Sequence, residues 1–149
     1  MFDLILKNNK VVCEVDIPAK NPIYEFTGNF YTDSSKYEDS LMLQVGSNLY
    51  MGPSGNIDDL IKHSCNPNCY INIIGKRAIL YSLVHIKANT EITFDYSISA
   101  LNGLNFACKC GAFNCRKVIK PFLELDEDVR NKLISSGIVP LFIYDKRFK

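Results

Sequence analysis

The sequence has no apolar run near the roughly 20 residues that a membrane-spanning helix needs, which argues against a helical membrane protein. It also lacks an excess of either charge. Seventeen Lys and Arg stand against 16 Asp and Glu, a net +1, so no broad field draws it to nucleic acid or to an anionic membrane. The N-terminal Met1-Phe2-Asp3-Leu4-Ile5-Leu6-Lys7 has an early acid and too short an apolar stretch for a secretory signal. Internal repeats, linkers and low-complexity segments are missing too. What is present is ordinary globular composition, 47 % hydrophobic and 22 % charged, over 149 residues, enough for one domain with its own core. The expectation is a soluble, intracellular chain.

The six cysteines are Cys13, Cys65, Cys69, Cys108, Cys110 and Cys115. Without an export signal, clustered cysteines point to metal more than to disulfides. Three of them crowd into Cys108-Lys109-Cys110-Gly111-Ala112-Phe113-Asn114-Cys115. These supply three thiolates, and a tetrahedral Zn²⁺ site needs a fourth ligand.

Short β-branched and aromatic runs predict strands at Val11–Ile17 and Pro22–Thr27. Leu41–Val45 and Asn48–Met51 flank Gly46-Ser47, and Cys69–Ile74 and Arg77–Ile86 flank Gly75-Lys76. Both pairs read as hairpins with a type II′ turn. Glu91–Tyr96 reads as a last short strand, and Ile57–Lys62 as a short helix. A longer helix begins after Asp126, carries Glu127 and Asp128 in its first turn and Val129, Leu133 and Ile134 on its apolar stripe, and stops at Gly137 before Pro140. The fold class is mostly β, in several small sheets with few helices.

The run His63-Ser64-Cys65-Asn66-Pro67-Asn68-Cys69 reads locally as a turn built on Asn66-Pro67-Asn68. It also admits a nucleophile reading with Cys65 as thiolate. Adjacent side chains of an extended segment point to opposite faces, so His63 is not expected to activate Ser64 or Cys65.

Together with Glu91-Ile92-Thr93-Phe94-Asp95-Tyr96 and the Cys-x-Cys-x₄-Cys cluster, this run resembles the three ordered signatures of the SET domain, a protein-lysine N-methyltransferase family, with its post-SET tail. Asp16-Ile17-Pro18, Glu25-Phe26-Thr27-Gly28 and Gly52–Asn56 are similar to further family segments, so the likeness spans roughly residues 4–120. No cysteines are present for the pre-SET zinc cluster of some members. The resemblance implies a SET fold of small curved sheets with a pseudoknot, over residues 1–103, a post-SET zinc-binding segment at 104–122 and a C-terminal extension with one helix at 123–149.

For function, the resemblance implies methyl transfer from S-adenosylmethionine to a lysine of a protein or peptide; from the near-neutral charge, no direct nucleic-acid contact is expected. Tyr96 matches the active-site tyrosine; without its motif it reads as a strand-end core tyrosine. Phe94 stands where the family carries Phe or Tyr, and Phe leaves room for more than one methyl. In the resemblance, donor binding falls to Lys62 and His63, to backbone near the segment Asn8-Asn9-Lys10, and to Tyr96. His63 contributes there through its backbone, or else is simply a satisfied buried histidine. The zinc ligands implied are Cys65, Cys108, Cys110 and Cys115, with Cys69 as the local alternative to Cys65 and Cys13 an ordinary buried cysteine. The sequence departs from the family at Lys62, usually Asn, at Asn8-Asn9-Lys10, usually Gly-x-Gly, and near Ser40, where many members have a second tyrosine that Tyr37 or Tyr50 could replace. Two other classes compete with the enzyme: a SET-derived lysine- or peptide-binding module without turnover, and a zinc-stabilised structural protein.

Overall fold

A computed structural model describes residues 1–32 and 42–145. Strands β1 (Leu4–Lys7) and β2 (Lys10–Cys13) form an antiparallel hairpin. Its loop, Asn8-Asn9, has φ of 51° and 60°, the left-handed pair that a type I′ turn demands and that Asn tolerates best after Gly. The expected strand at Val11–Ile17 is shorter than its apolar run, and Ile17 instead forms an isolated bridge to Ile86.

Strand β3 (Pro22–Glu25) begins the principal sheet, whose antiparallel order is β3, then β9 (Arg77–Ser82), then β8 (Cys69–Ile74). The β8–β9 loop is Gly75-Lys76 as expected, with Gly75 at φ 62°. Strand β9 ends at Ser82, whose Oγ donates to Pro18 O at 2.6 Å. A second sheet orders β4 (Phe30–Tyr31), β6 (Leu49–Met51) and β5 (Leu43–Gly46). Its β5–β6 turn is Ser47-Asn48, one residue later than expected, because a register shift between Gln44 and Gly46 draws Gly46 into pairing with Leu49. Gly28 lets the two sheets meet: a Cβ there would lie 2.5 Å from the Gly52 Cα, so any side chain would drive backbone into backbone.

A 3₁₀ turn at Ile57–Leu60 leads into β7 (Lys62–His63), which pairs in parallel with β10 (Thr93–Phe94). Asn68 clamps the two signature segments together, donating to Glu91 O at 2.8 Å and accepting from the Thr93 amide at 3.0 Å. The expected strand through Tyr96 ends early. Asp95 accepts a hydrogen bond from the Ser97 amide at 3.0 Å and caps a 3₁₀ turn at Tyr96–Ser99. In the tail, β11 (Phe106–Ala107) pairs with β12 (Val118–Ile119).

Helix α1 (Glu127–Ser135) forms where expected, and Gly137 at φ 75° ends it. Asp126 stands at its N-cap but makes no side-chain capping bond. Helix α2 (Leu141–Tyr144), which the sequence reading did not foresee, follows Pro140 directly. Three apolar clusters result. The β core holds Val11, Ile23, Ile71, Leu80, Ile92 and Phe94. A second joins Tyr50, Cys65, Leu104, Cys108 and Ile119, and a third packs Ile98 and Phe122 under both helices. Tyr96 packs against the first two. Among the described residues no helix is long and apolar enough to cross a membrane.

Candidate active site and metal centre

The parallel β7–β10 pair sets His63 beside Phe94, and two residues further along each segment Cys65 and Tyr96 pack toward the tail. The Tyr96 hydroxyl donates to Ile61 O at 2.6 Å. Burial pushes its phenol up to about 12, so it stays neutral at physiological pH. With its proton committed to Ile61, the oxygen retains only acceptor capacity. Phe94, 6 % exposed, stands edge-on to Phe26 at 5.8 Å and tilted against Tyr96 at 4.9 Å. Phe26, Ile61, Phe94 and Tyr96 help to line a cavity of about 30 Å³, with Asp58 and Asp59 also on its wall. That space accepts a slender group, about one water in size.

The imidazole of His63 faces inward. Its Nδ1 accepts the Tyr96 backbone N–H at 3.0 Å, which places the ring proton on Nε2, 3.3 Å from Cys65 Sγ. Burial lowers its pKa, so the ring is neutral. The expectation that His63 and Cys65 diverge fails for a simple reason: residues i and i+2 of an extended segment share a face. A histidine whose proton points at the sulfur is not its base, so the nucleophile reading gains nothing from the contact.

Cys65, Cys108, Cys110 and Cys115 bring their sulfurs within 4.8 Å of one another. The Cys65–Cys108 separation is 3.8 Å, the edge of about 3.8 Å that four thiolates 2.3 Å from a tetrahedral Zn²⁺ would have. Burial pushes the Cys65 thiol up and the Cys108 thiol up to about 12, whereas at Cys110 burial is outweighed by hydrogen bonds from its neighbours, which bring it down to about 6. A cation is what would make Cys65 and Cys108 stable as thiolates beside it. Cys69 lies outside this group on β8, fully buried, and Cys13 is buried on β2.

Two residues to which the sequence reading gave no role complete the junction. Arg116 donates through Nη2 to Asp95 Oδ1 at 2.7 Å and to Ser97 Oγ at 3.2 Å, and its backbone N–H points at Cys65 Sγ at 3.4 Å. Asp95 is 1 % exposed, and removing one side of a buried pair typically costs about 3–5 kcal/mol. The adjacency of Arg116 to Cys115 was visible in the sequence, but nothing there pairs it with a residue 21 positions earlier.

Lys62 reaches back to the β1–β2 turn and donates to Asn9 O at 2.6 Å; it also lies 3.6 Å from Glu91. Lys62 and Asn9 are therefore neighbours, and Lys10 follows at the head of β2. Tyr50 is buried on β6 with its hydroxyl near Asn102 and does not line the small cavity. Ser40 and Tyr37 lie outside the described residues.

A family profile described as the SET domain matches residues 8–97. The chain belongs to the SET domain family. Human histone-lysine N-methyltransferase SETD1B is 44 % identical over 66 residues, 42 % of this chain and 3 % of that protein. Histone-lysine N-methyltransferase trithorax of Drosophila virilis is 32 % identical over 123 residues, 72 % of this chain and 3 % of that protein. The chain thus spans a few per cent of the length of these relatives. A crystal structure of KRYPTONITE in complex with mCHG DNA and SAH superposes with a TM-score of 0.64 at 27 % identity, over 79 % of this chain and 29 % of that one. The SET fold accounts for the small sheets, and the four-cysteine group matches the expected post-SET tail.

Proposed function

We propose that this SET chain is a protein-lysine N-methyltransferase using S-adenosylmethionine, acting on a lysine of a histone or other protein and able to go beyond monomethylation. The observation that carries the reading is Tyr96: a neutral phenol, its proton held by Ile61 O, on the wall of a narrow cavity that it shares with Phe26 and Phe94. An acceptor-only oxygen there can orient an amine N–H or a polarised methyl C–H. The aromatic walls exclude water from the reacting centre and hold an alkyl chain in line. Phe94 brings no hydroxyl to anchor a water beside the lysine nitrogen, so the nitrogen can turn between transfers.

S-adenosylmethionine, when bound, supplies an electrophilic sulfonium methyl. Its amino-acid end carries one charge of each sign, and Lys62 with Glu91 offers the complementary pair; Glu91 Oε1 is buried without a hydrogen-bond partner. In our reading Lys62, the His63 backbone, Asn9, Lys10 and Tyr96 hold the donor, with Lys62 exchanging Asn9 O for the donor carboxylate. Cys65, Cys108, Cys110 and Cys115 would hold a structural Zn²⁺ that fixes the tail. The same reading has residues 1–103, 104–122 and 123–149 as SET domain, zinc segment and extension. It also has a soluble intracellular protein, and the net charge of +1 supports no direct nucleic-acid contact.

Calorimetric titration with S-adenosylmethionine tests the reading: saturable binding weakened by Lys62→Ala is expected, and no binding refutes it. Mass spectrometry of a histone H3 peptide turned over with excess donor tests multiplicity. Di- or trimethyl-lysine is expected from the wild type and a shift toward monomethyl-lysine from Phe94→Tyr; a wild type that stops at one methyl rejects the role given to Phe94.

A further inference from the structure

Cys65 is the hub of two hydrogen-bonded arms, one ending on the Tyr96 amide and the other on its two neighbours, Asp95 and Ser97. One runs through His63, whose Nε2 faces the sulfur and whose Nδ1 accepts the Tyr96 amide. The other runs through Arg116, whose backbone N–H points at the same sulfur while Nη2 binds Asp95 Oδ1 and Ser97 Oγ. Asp95 and Ser97 flank Tyr96 and are themselves joined by the capping bond, so one guanidinium nitrogen grips the turn on both sides of the tyrosine. A counter-ion for Asp95 alone would need neither the Ser97 contact nor the backbone contact to Cys65. The chain also accepts a left-handed residue at Lys117, φ 68°, immediately after Arg116, a conformation uncommon outside Gly and Asn.

We propose that Arg116 is a positioning residue for Tyr96, tying the Cys-rich tail to the turn that carries the tyrosine, so that an ordered tail sets the place of Tyr96 in the cavity. The catalytic part of this rests on the methyltransferase reading; the structural coupling does not.

Amide hydrogen exchange on the zinc-loaded full chain separates the two. In Arg116→Met the Tyr96 and Ser97 amides should exchange roughly tenfold faster. Zinc content should stay stoichiometric, and the Cys108 amide, bonded to Lys117 O at 2.8 Å, should keep its protection. Arg116→Lys, which retains a cation able to reach Asp95, should restore most of the protection. If Arg116→Met does not fold, Arg116→Met/Asp95→Asn carries the same comparison. It leaves no unpaired buried carboxylate, keeps a capping oxygen and lacks the tether, so the same acceleration is expected. Unchanged protection at Tyr96 and Ser97 overturns the proposal. So does loss of zinc and of Cys108 protection alongside theirs, since Arg116 would then only hold the tail. With histone H3 peptide and S-adenosylmethionine, kcat of the variant should fall while KM for the donor holds; unchanged kcat beside faster exchange overturns the link to catalysis. A wild type that transfers no methyl fails the methyltransferase reading alone and leaves the exchange comparison to decide the role of Arg116.

Discussion

The β3–β9–β8 sheet and the Cys-rich tail are stabilised by opposite means. In the sheet, Ile23, Ile71, Ala78 and Leu80 are at most 1 % exposed and pack on one another and on β2, each large side chain contributing about 1.5–3 kcal/mol by leaving water. In the tail, Phe106 and Phe113 face solvent at 38 % and 91 %, and only a few aliphatic groups such as Leu104 and Ile119 turn inward, beside four sulfurs and one guanidinium. The sheet can hold itself by burying apolar surface. The tail buries less apolar surface, and a cation among its thiols, with Arg116, is what we expect to hold it. Tyr96 sits where the two regimes meet, so its alignment draws on both.

Removing the metal should break this comparison most sharply, since structural zinc in small peptides binds with an apparent free energy of about 10–16 kcal/mol. Protein purified without chelator should contain stoichiometric zinc. Chelation should then expose the amides of residues 104–120 while those of β8 and β9 stay protected; equal loss in both regions would show that the sheet is not self-sufficient. The converse change is Leu80→Ala, which should cost about 2–5 kcal/mol in urea unfolding of the whole chain without altering zinc content under native conditions. A cost below 1 kcal/mol would mean that the sheet is not packed as described.

At the junction, Tyr96→Phe should lower methyl transfer by about 10²-fold, roughly 2.7 kcal/mol. Stability should fall by only about 1 kcal/mol, for the Ile61 carbonyl left without its partner. Equal effects on rate and stability would reduce Tyr96 to a core residue. The smallest effect is expected at Lys117→Gly: relief of the left-handed strain, partly offset by added freedom in the unfolded chain, should raise the stability of the zinc-loaded tail by no more than about 1 kcal/mol. A loss of stability there would show that the Lys117 side chain contributes contacts that outweigh its strain.

Much of the framework is legible one residue at a time. The β8–β9 hairpin is set by Gly75-Lys76 between two apolar runs, and α1 by its acidic first turn and Gly137. Asn8-Asn9 closes a type I′ turn between β1 and β2, and β1 leaves no pattern of its own because its four residues are too short for an apolar run. The β5–β6 turn and the end of β10 were misplaced because a register shift at Gln44 and a cap at Asp95 act through hydrogen bonds that leave no trace in hydrophobic pattern.

The sequence by itself determined the mostly β character of the chain, the three tail cysteines with metal-ligand chemistry and the aromatic pair Phe94 and Tyr96, because side-chain type and short spacings suffice for those. Tertiary structure decided that Cys65 rather than Cys69 joins Cys108, across 43 positions, that His63 turns its ring to Cys65, and that Arg116 grips Asp95 and Ser97. Such pairings depend on where the β7–β10 pair and the tail converge in space, and a linear pattern does not encode which distant polar groups burial will force to satisfy one another.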